Sequence, residues 1–128
     1  MKLLIDTHAL LWFFADDPQL SDQAAHMIES LDHIKYVSVA SIWEIVLKLA
    51  KGRLSLSAKF DEIFPARLLS NGFELLPAVV PHFSRLLSLP FHHRDPFDRL
   101  LIAQATAEGM TIVTRDPEFA KYPVPTIW

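Results

Sequence analysis

At 128 residues and 14.6 kDa the chain is the size of one domain with a proper core. A net charge of −3 and a pI near 6.0 give no bulk sign of non-specific nucleic-acid binding, though metal ions could offset a local acidic cluster. The absence of cysteine excludes disulfides, thiolate metal sites and thiol nucleophiles, and is compatible with a reducing cytoplasm.

Lys2-Leu3-Leu4-Ile5 reads as a short buried strand. Met1-Lys2 leads straight into it, with no apolar stretch before a small-residue cleavage site, so no signal peptide is expected. Thr7 to Ala15 reads as a loop and an apolar first helix, broken by Asp16-Asp17-Pro18. Ser21 is placed to cap a second helix through about Leu31, with Ala24, Ala25, Ile28 and Leu31 on one face. Ile34 to Val39 is β-branched and reads as strand two. Ser41 opens a helix to about Lys51, stopped by Gly52. Ser57 to Ser70 reads as another helix, bent at Pro65, and Phe73 to Leu76 as strand three. A short helix falls within Pro77 to Leu89. Asp95 as N-cap, Pro96 in the first turn and Gly109 just past the end mark a strong helix over Pro96 to Glu108. Thr111 to Thr114 and Val124 to Ile127 give strands four and five. No window holds about 18 unbroken apolar residues, so no spanning helix is expected.

Strands alternate with helices throughout, which predicts a single α/β domain over residues 1–128, with a parallel sheet and helices on both faces. Ligands in such sheets bind outside the carboxyl ends of the strands, where the strand order reverses. Asp6 and Asp116 each follow a strand, and Glu44 and Asp98 each lie near the start of a helix at that same edge. Carboxylates gathered in this way repel each other and stay ionised only if a cation joins them. The pattern therefore points to a magnesium or manganese site, and such sites most often handle phosphates.

Each acid also has a purely structural reading. Asp6 could be a cap or turn residue. Ser41-x-x-Glu44 matches a capping box. Asp95-x-x-Asp98 with Pro96 is a good helix start, favoured by the helix dipole; Asp95 is assigned to the cap and Asp98 to the metal. Asp116, before Pro117, could be a turn or N-cap residue. His92-His93 reads as a surface loop pair that could reach phosphate or metal, and His8 is a minor candidate. No Ser/His/Asp nucleophile spacing and no phosphate-binding loop is present, and three glycines argue against dinucleotide binding. Arg94, Arg99, Arg115, Lys48 and Lys51 adjoin the acids. Arg115 and Lys48 are the first candidates for holding phosphate, with Arg99 behind them. Leu10, Leu11, Trp12, Phe13 and Phe14 are too many for one narrow helix stripe. Leu11 and Phe14 are assigned to the core, and others to a partner segment or a second copy.

Four segments carry a family resemblance: Leu4-Ile5-Asp6-Thr7-His8-Ala9-Leu10-Leu11-Trp12, Ser41-Ile42-Trp43-Glu44-Ile45, Asp95-Pro96-Phe97-Asp98-Arg99-Leu100-Leu101-Ile102-Ala103-Gln104-Ala105 and Val113-Thr114-Arg115-Asp116. In this order and at this chain length they resemble a PIN domain, and more narrowly the VapC-type ribonuclease toxins of toxin–antitoxin pairs. The resemblance runs through the closing Val124-Pro125-Thr126-Ile127-Trp128. It implies a three-layer α/β/α sandwich with a five-stranded parallel sheet and strand one central. It places the family's acidic positions on Asp6, Glu44, Asp98 and Asp116, with Thr7 and Thr114 as supporting polar groups. It also implies RNA cleavage with one or two Mg²⁺ or Mn²⁺ ions, a homodimer and a cognate antitoxin that blocks the site.

The leading expectation is thus a cytoplasmic, metal-dependent endoribonuclease acting as a toxin. The competing readings are a magnesium-dependent phosphatase, a receiver-like phosphoacceptor and a catalytically inactive PIN-like module that binds RNA or a partner. A receiver would want adjacent acids near strand one, and Asp6 stands alone.

Overall fold

The computed structural model describes all residues from Met1 to Trp128. Strand β1 (Lys2–Ile5) is followed by helices α1 (Thr7–Phe14) and α2 (Asp22–Glu29), strand β2 (Ile34–Ser38) and helix α3 (Val39–Ala50). A kinked turn, Glu62–Arg67, runs into the short α4 (Leu68–Ser70) and strand β3 (Phe73–Leu76). Helices α5 (Val80–Ser88) and α6 (Pro96–Glu108), strand β4 (Thr111–Val113), a 3₁₀ turn (Pro117–Lys121) and strand β5 (Thr126–Ile127) complete the chain.

The five strands are all parallel, in the order β3-β2-β1-β4-β5. The expected α/β/α sandwich with strand one central is therefore what forms. A strand covered on both faces must be apolar at every position. Leu3 and Ile5 pack into one layer with Ala9, Leu10, Ile28, Ile45 and Phe73, while Leu4 packs into the other with Leu101, Ile102, Ile112 and Phe119. No helix is long and apolar enough to cross a membrane.

Several boundaries differ from the sequence reading, each for a local reason. Helix α3 begins at Val39, two residues early, because the buried Ser38 ends β2 and accepts from the Ala40 amide at 3.0 Å as the N-cap. Ser41 therefore lies inside the helix and the expected Ser41–Glu44 capping box does not form. Helix α2 ends at Glu29, leaving Leu31 97% exposed rather than on the buried face. The segment expected as a bent helix over Ser57 to Ser70 is broken outright. Phe64 is extended (φ −116°, ψ 119°), as the steric clash with a following proline demands. Asp6 caps α1 directly, so no loop intervenes after β1. Leu10 is fully buried, while Leu11, Trp12, Phe13 and Phe14 are half-buried, three of them packed against the core.

Strand order reverses between β1 and β4. The chain builds outward from β1 to β3 on one side, then crosses over to lay β4 and β5 on the other. Their carboxyl ends bound the crevice where open parallel sheets bind ligands.

Candidate active site

The register of β1 on β4 determines the centre of the site. Leu4 pairs with Ile112 and Ile5 with Val113, so the next residues, Asp6 and Thr114, emerge side by side. The Asp6 amide continues the ladder by donating to the Val113 carbonyl at 3.1 Å. The Thr114 hydroxyl donates to Asp6 Oδ2, and the Ala9 amide donates to Oδ1 at 2.7 Å. Asp6 is thus an N-cap whose carboxylate also faces Thr114 across the sheet edge. Burial pushes its carboxyl above the usual range, while Thr114 and the Ala9 N–H pull it back toward the ionised form.

Glu44 arrives from α3, one helical turn past Val39–Ala40. Thr7 donates to its Oε1 at 2.7 Å, and Thr7 Oγ1 also stands 3.0 Å from Ser41 Oγ. Lys48, one turn further along the helix, pairs with Oε2 at 2.8 Å. Thr7 and Thr114 thus each hold one acid. Asp98 sits in the first turn of α6. Asp95 caps that helix by accepting from the Phe97 and Asp98 amides at 2.9 and 3.0 Å, which frees the Asp98 side chain. Asp116 caps the 3₁₀ turn through the Glu118 amide and shares a cleft of about 310 Å³ with Asp6, His8, Trp12 and Arg115.

The acids act on each other. Burial raises the Asp98 carboxyl to about 8, and the charges of Asp95, Glu44, Asp116 and Asp6 push it in the same direction. The four predicted acids therefore share one electrostatic neighbourhood, although they come from four separate segments. As the side chains stand, no three His, Asp or Glu groups converge to enclose an ion.

A family model described as PIN domain matches residues 3–125. The chain belongs to the PIN domain family. None of the curated proteins matches the sequence. Among solved structures, this PIN domain is similar to VapBC2 from Rickettsia felis bound to a DNA fragment from its promoter, with 15% identity, a TM-score of 0.75 and coverage of 99% of this chain and 98% of that one. It is similar to FitAcB from Neisseria gonorrhoeae at 21% identity and TM-score 0.73, over 98% and 96% of the two chains. DNA-bound VapBC from Salmonella typhimurium gives 16% identity and TM-score 0.73, over 99% and 97%. At these identities the likeness shows the fold.

Within the PIN domain, two assignments of cationic and imidazole residues change. Arg99, expected at the RNA, is 4% exposed. Its guanidinium donates to the carbonyls of Pro90 at 2.7 Å and Leu89 at 3.0 Å, and to the Tyr122 hydroxyl at 3.1 Å. Leu89 caps the end of α5, where free carbonyls and the helix dipole favour a cation. Arg99 is therefore an internal clamp on residues 89–90, with Phe91 stacked on it at 3.9 Å. Lys48 and Arg115 do lie at the site; Arg115 is exposed, 4.5 Å over the Trp12 ring.

His93 was set aside as half of a loop pair, yet its side chain is only 11% exposed and its Nε2 lies 3.2 Å from Asp98 Oδ2. Its Nδ1 meets the Tyr122 hydroxyl at 2.8 Å. The turn through Asp95-Pro96 folds residue 93 back over the helix start. The five-residue spacing to Asp98 was the one available signal. Nothing in the sequence marked Tyr122.

Proposed function

We propose that this PIN domain is a metal-dependent endoribonuclease, the toxin of a VapC-type toxin–antitoxin pair working in the cytoplasm. The observation that supports it best is the mutual effect of the carboxylates: buried Asp98 is raised to about 8 with Asp95, Glu44, Asp116 and Asp6 all pushing the same way. A cation held among them offsets that repulsion and favours the ionised carboxylates. The donors are carboxylate oxygens, the set that a hard ion such as Mg²⁺ or Mn²⁺ prefers. Magnesium keeps several waters and takes few protein ligands, so a looser arrangement than a three-ligand cage still fits it.

Asp6, Asp98 and Asp116 would hold one or two ions, with Glu44 a further ligand or a group that orients water. When bound, the metal would make a water nucleophilic and neutralise charge on the phosphate. The chain's own residues do the rest. Thr114 and the Ala9 amide fix Asp6 and favour its ionised form against burial. Thr7 and Lys48 each hold one oxygen of Glu44, leaving its other lone pairs to align a water. Arg115 and Lys48 face the substrate as phosphate partners. The reaction adds water across one P–O bond: hydroxyl goes to phosphorus and the proton to the departing sugar oxygen.

Partner binding has a place beside this centre. A groove of about 620 Å³ is walled by Leu11, Trp12, Phe14, Leu54, Leu56 and Phe64, and reaches Lys48. It suits an apolar antitoxin segment, and the similar structures above include complexes named VapBC. A second copy of the chain would cover the outer face of α5, where Val80, Phe83 and Leu87 are 76%, 48% and 90% exposed at helical spacing.

The test is cleavage of a mixed RNA pool by antitoxin-free protein with Mg²⁺ or Mn²⁺, with EDTA, and by Asp98→Asn. Metal-dependent cuts absent from the variant are expected. A folded protein that neither binds metal nor cuts would instead be a binding module. Light scattering reads the number of copies.

A further inference from the structure

The strongest feature outside the acid centre lies on its α3–α6 side. Trp43 and Phe97 immediately precede Glu44 and Asp98 in the chain. Where the acids turn inward, these aromatics turn outward and meet. Their rings stand 5.2 Å apart, edge to face, and Trp43 remains 60% exposed. Phe97 is half-buried and packs edge to face with the indole, which stays largely exposed to solvent. Beside them a cleft of about 230 Å³ runs from Glu44 past Phe97 to Lys51 and Arg53. Lys51 and Arg53 are exposed and take part in none of the chain's four ion pairs. The only acid there besides Glu44 is Asp95, whose Oδ1 is engaged by the helix cap.

We infer that this cleft and the Trp43 ring beside it form a nucleotide subsite for single-stranded RNA: Trp43 stacks on an unpaired base, and Lys51 and Arg53 in the cleft hold a phosphate of the same strand. The inference rests on the ribonuclease reading and names the part of the substrate recognised next to the scissile bond. An exposed indole accepts any base, and the free cations at the end of α3, about two helical turns along from Trp43, accept the backbone. Bases in an A-form duplex are stacked and out of reach, so the subsite selects unpaired RNA. The charge of the patch separates this occupant from a protein: lysine is depleted from the centre of protein interfaces, whereas here Lys48, Lys51 and Arg53 all line the cleft.

The experiment measures binding of a short, labelled RNA without secondary structure to the Asp98→Asn protein, across a salt series, and cleavage of the same RNA by protein with Asp98 intact. Trp43→Ala is expected to weaken binding by at least about fivefold, the loss of one base stack, with Trp43→Phe retaining most of it. Lys51→Ala with Arg53→Ala is expected to flatten the salt slope by about 1.4, two phosphate contacts on a single strand. Duplex RNA should bind the variants and the parent alike. A protein that cuts RNA while all these variants bind and cut as it does overturns the subsite alone. A Trp43→Ala protein whose mass falls in light scattering also overturns it, because Trp43 would then join two copies. A folded parent that binds the RNA in a Trp43-dependent way, with no cutting by the intact chain, overturns the nuclease reading and leaves the subsite standing. One that neither binds nor cuts overturns both.

Discussion

His93 Nε2 faces Asp98 Oδ2 at 3.2 Å, and Tyr122 determines which nitrogen carries the proton. The Tyr122 oxygen accepts from Arg99 Nη1 at 3.1 Å and from the His93 amide at 3.2 Å. Its own hydrogen is then left for His93 Nδ1, 2.8 Å away. By this hydrogen-bond accounting, Nδ1 is the acceptor and Nε2–H points at the carboxylate. His93 thereby orients Asp98. His93→Ala is expected to lower the cleavage rate about 10–100-fold with little change in melting temperature. His93→Gln, which can still donate, should recover part of the rate; an unchanged rate in the alanine variant would remove this role.

Asp98 should cost the metal-free protein stability at neutral pH. Its carboxyl rises from an ordinary 3.8 to about 8, so between those values the native chain holds a proton that the unfolded chain has released. More protons on the native state means that stability falls as pH rises through this window. Asp98→Asn removes the penalty. In EDTA at pH 8 it should melt above the parent, by about 1 kcal/mol or about 4 °C after discounting for solvent screening. Near pH 4 the two should coincide. Added Mg²⁺ should raise the parent's melting temperature and leave the variant's nearly unchanged. Equal melting curves at pH 8 would refute the burial and the crowding of charge that raise Asp98.

Arg99→Met should destabilise the fold by about 2 kcal/mol, because the buried guanidinium's hydrogen bonds to the Leu89 and Pro90 carbonyls and to the Tyr122 hydroxyl are all lost. Arg99→Lys should not restore it, since one ammonium cannot reproduce a fork spread over two carbonyls and a phenol. The salt dependence of RNA binding should stay the same in both. Urea titrations and binding isotherms check these separately.

Thr114→Val removes the hydroxyl that holds Asp6 Oδ2. That hydrogen bond favours the charged form, so its loss moves the Asp6 carboxyl further up. The acidic limb of the pH–rate profile should shift to higher pH, with a stability loss of about 1 kcal/mol. A profile unmoved on the pH axis would separate Asp6 from the rate-limiting ionisation.

Much of this was legible because it depends on short-range chemistry. The uniformly apolar Leu3-Leu4-Ile5 and the Asp95-Pro96…Gly109 punctuation each specify a local state whatever surrounds them. The four acids were legible because parallel strands all end on one edge. What was not legible depends on distant partners. Ser38, not Ser41, starts α3 because Gln104, 66 residues away, receives its hydroxyl and anchors the end of the strand. Arg99 looked like a surface cation beside the acids, and only the fold shows that the end of α5 lies against it. Ser57 to Ser70 kept a helix-like pattern, but the clash before Pro65 outweighed it.

The bond between Thr114 and Asp6 joins residues 108 positions apart, and it lies at the heart of the acidic cluster. A polypeptide emerging from a ribosome exposes Asp6 and Glu44 early, when β1 can pair only with β2. The neighbour on its other side, and the last two acids, arrive only once residues past Asp116 are free. Until that moment the Asp6–Thr114 pair cannot form, so the acidic cluster is among the last parts of the chain to close during synthesis.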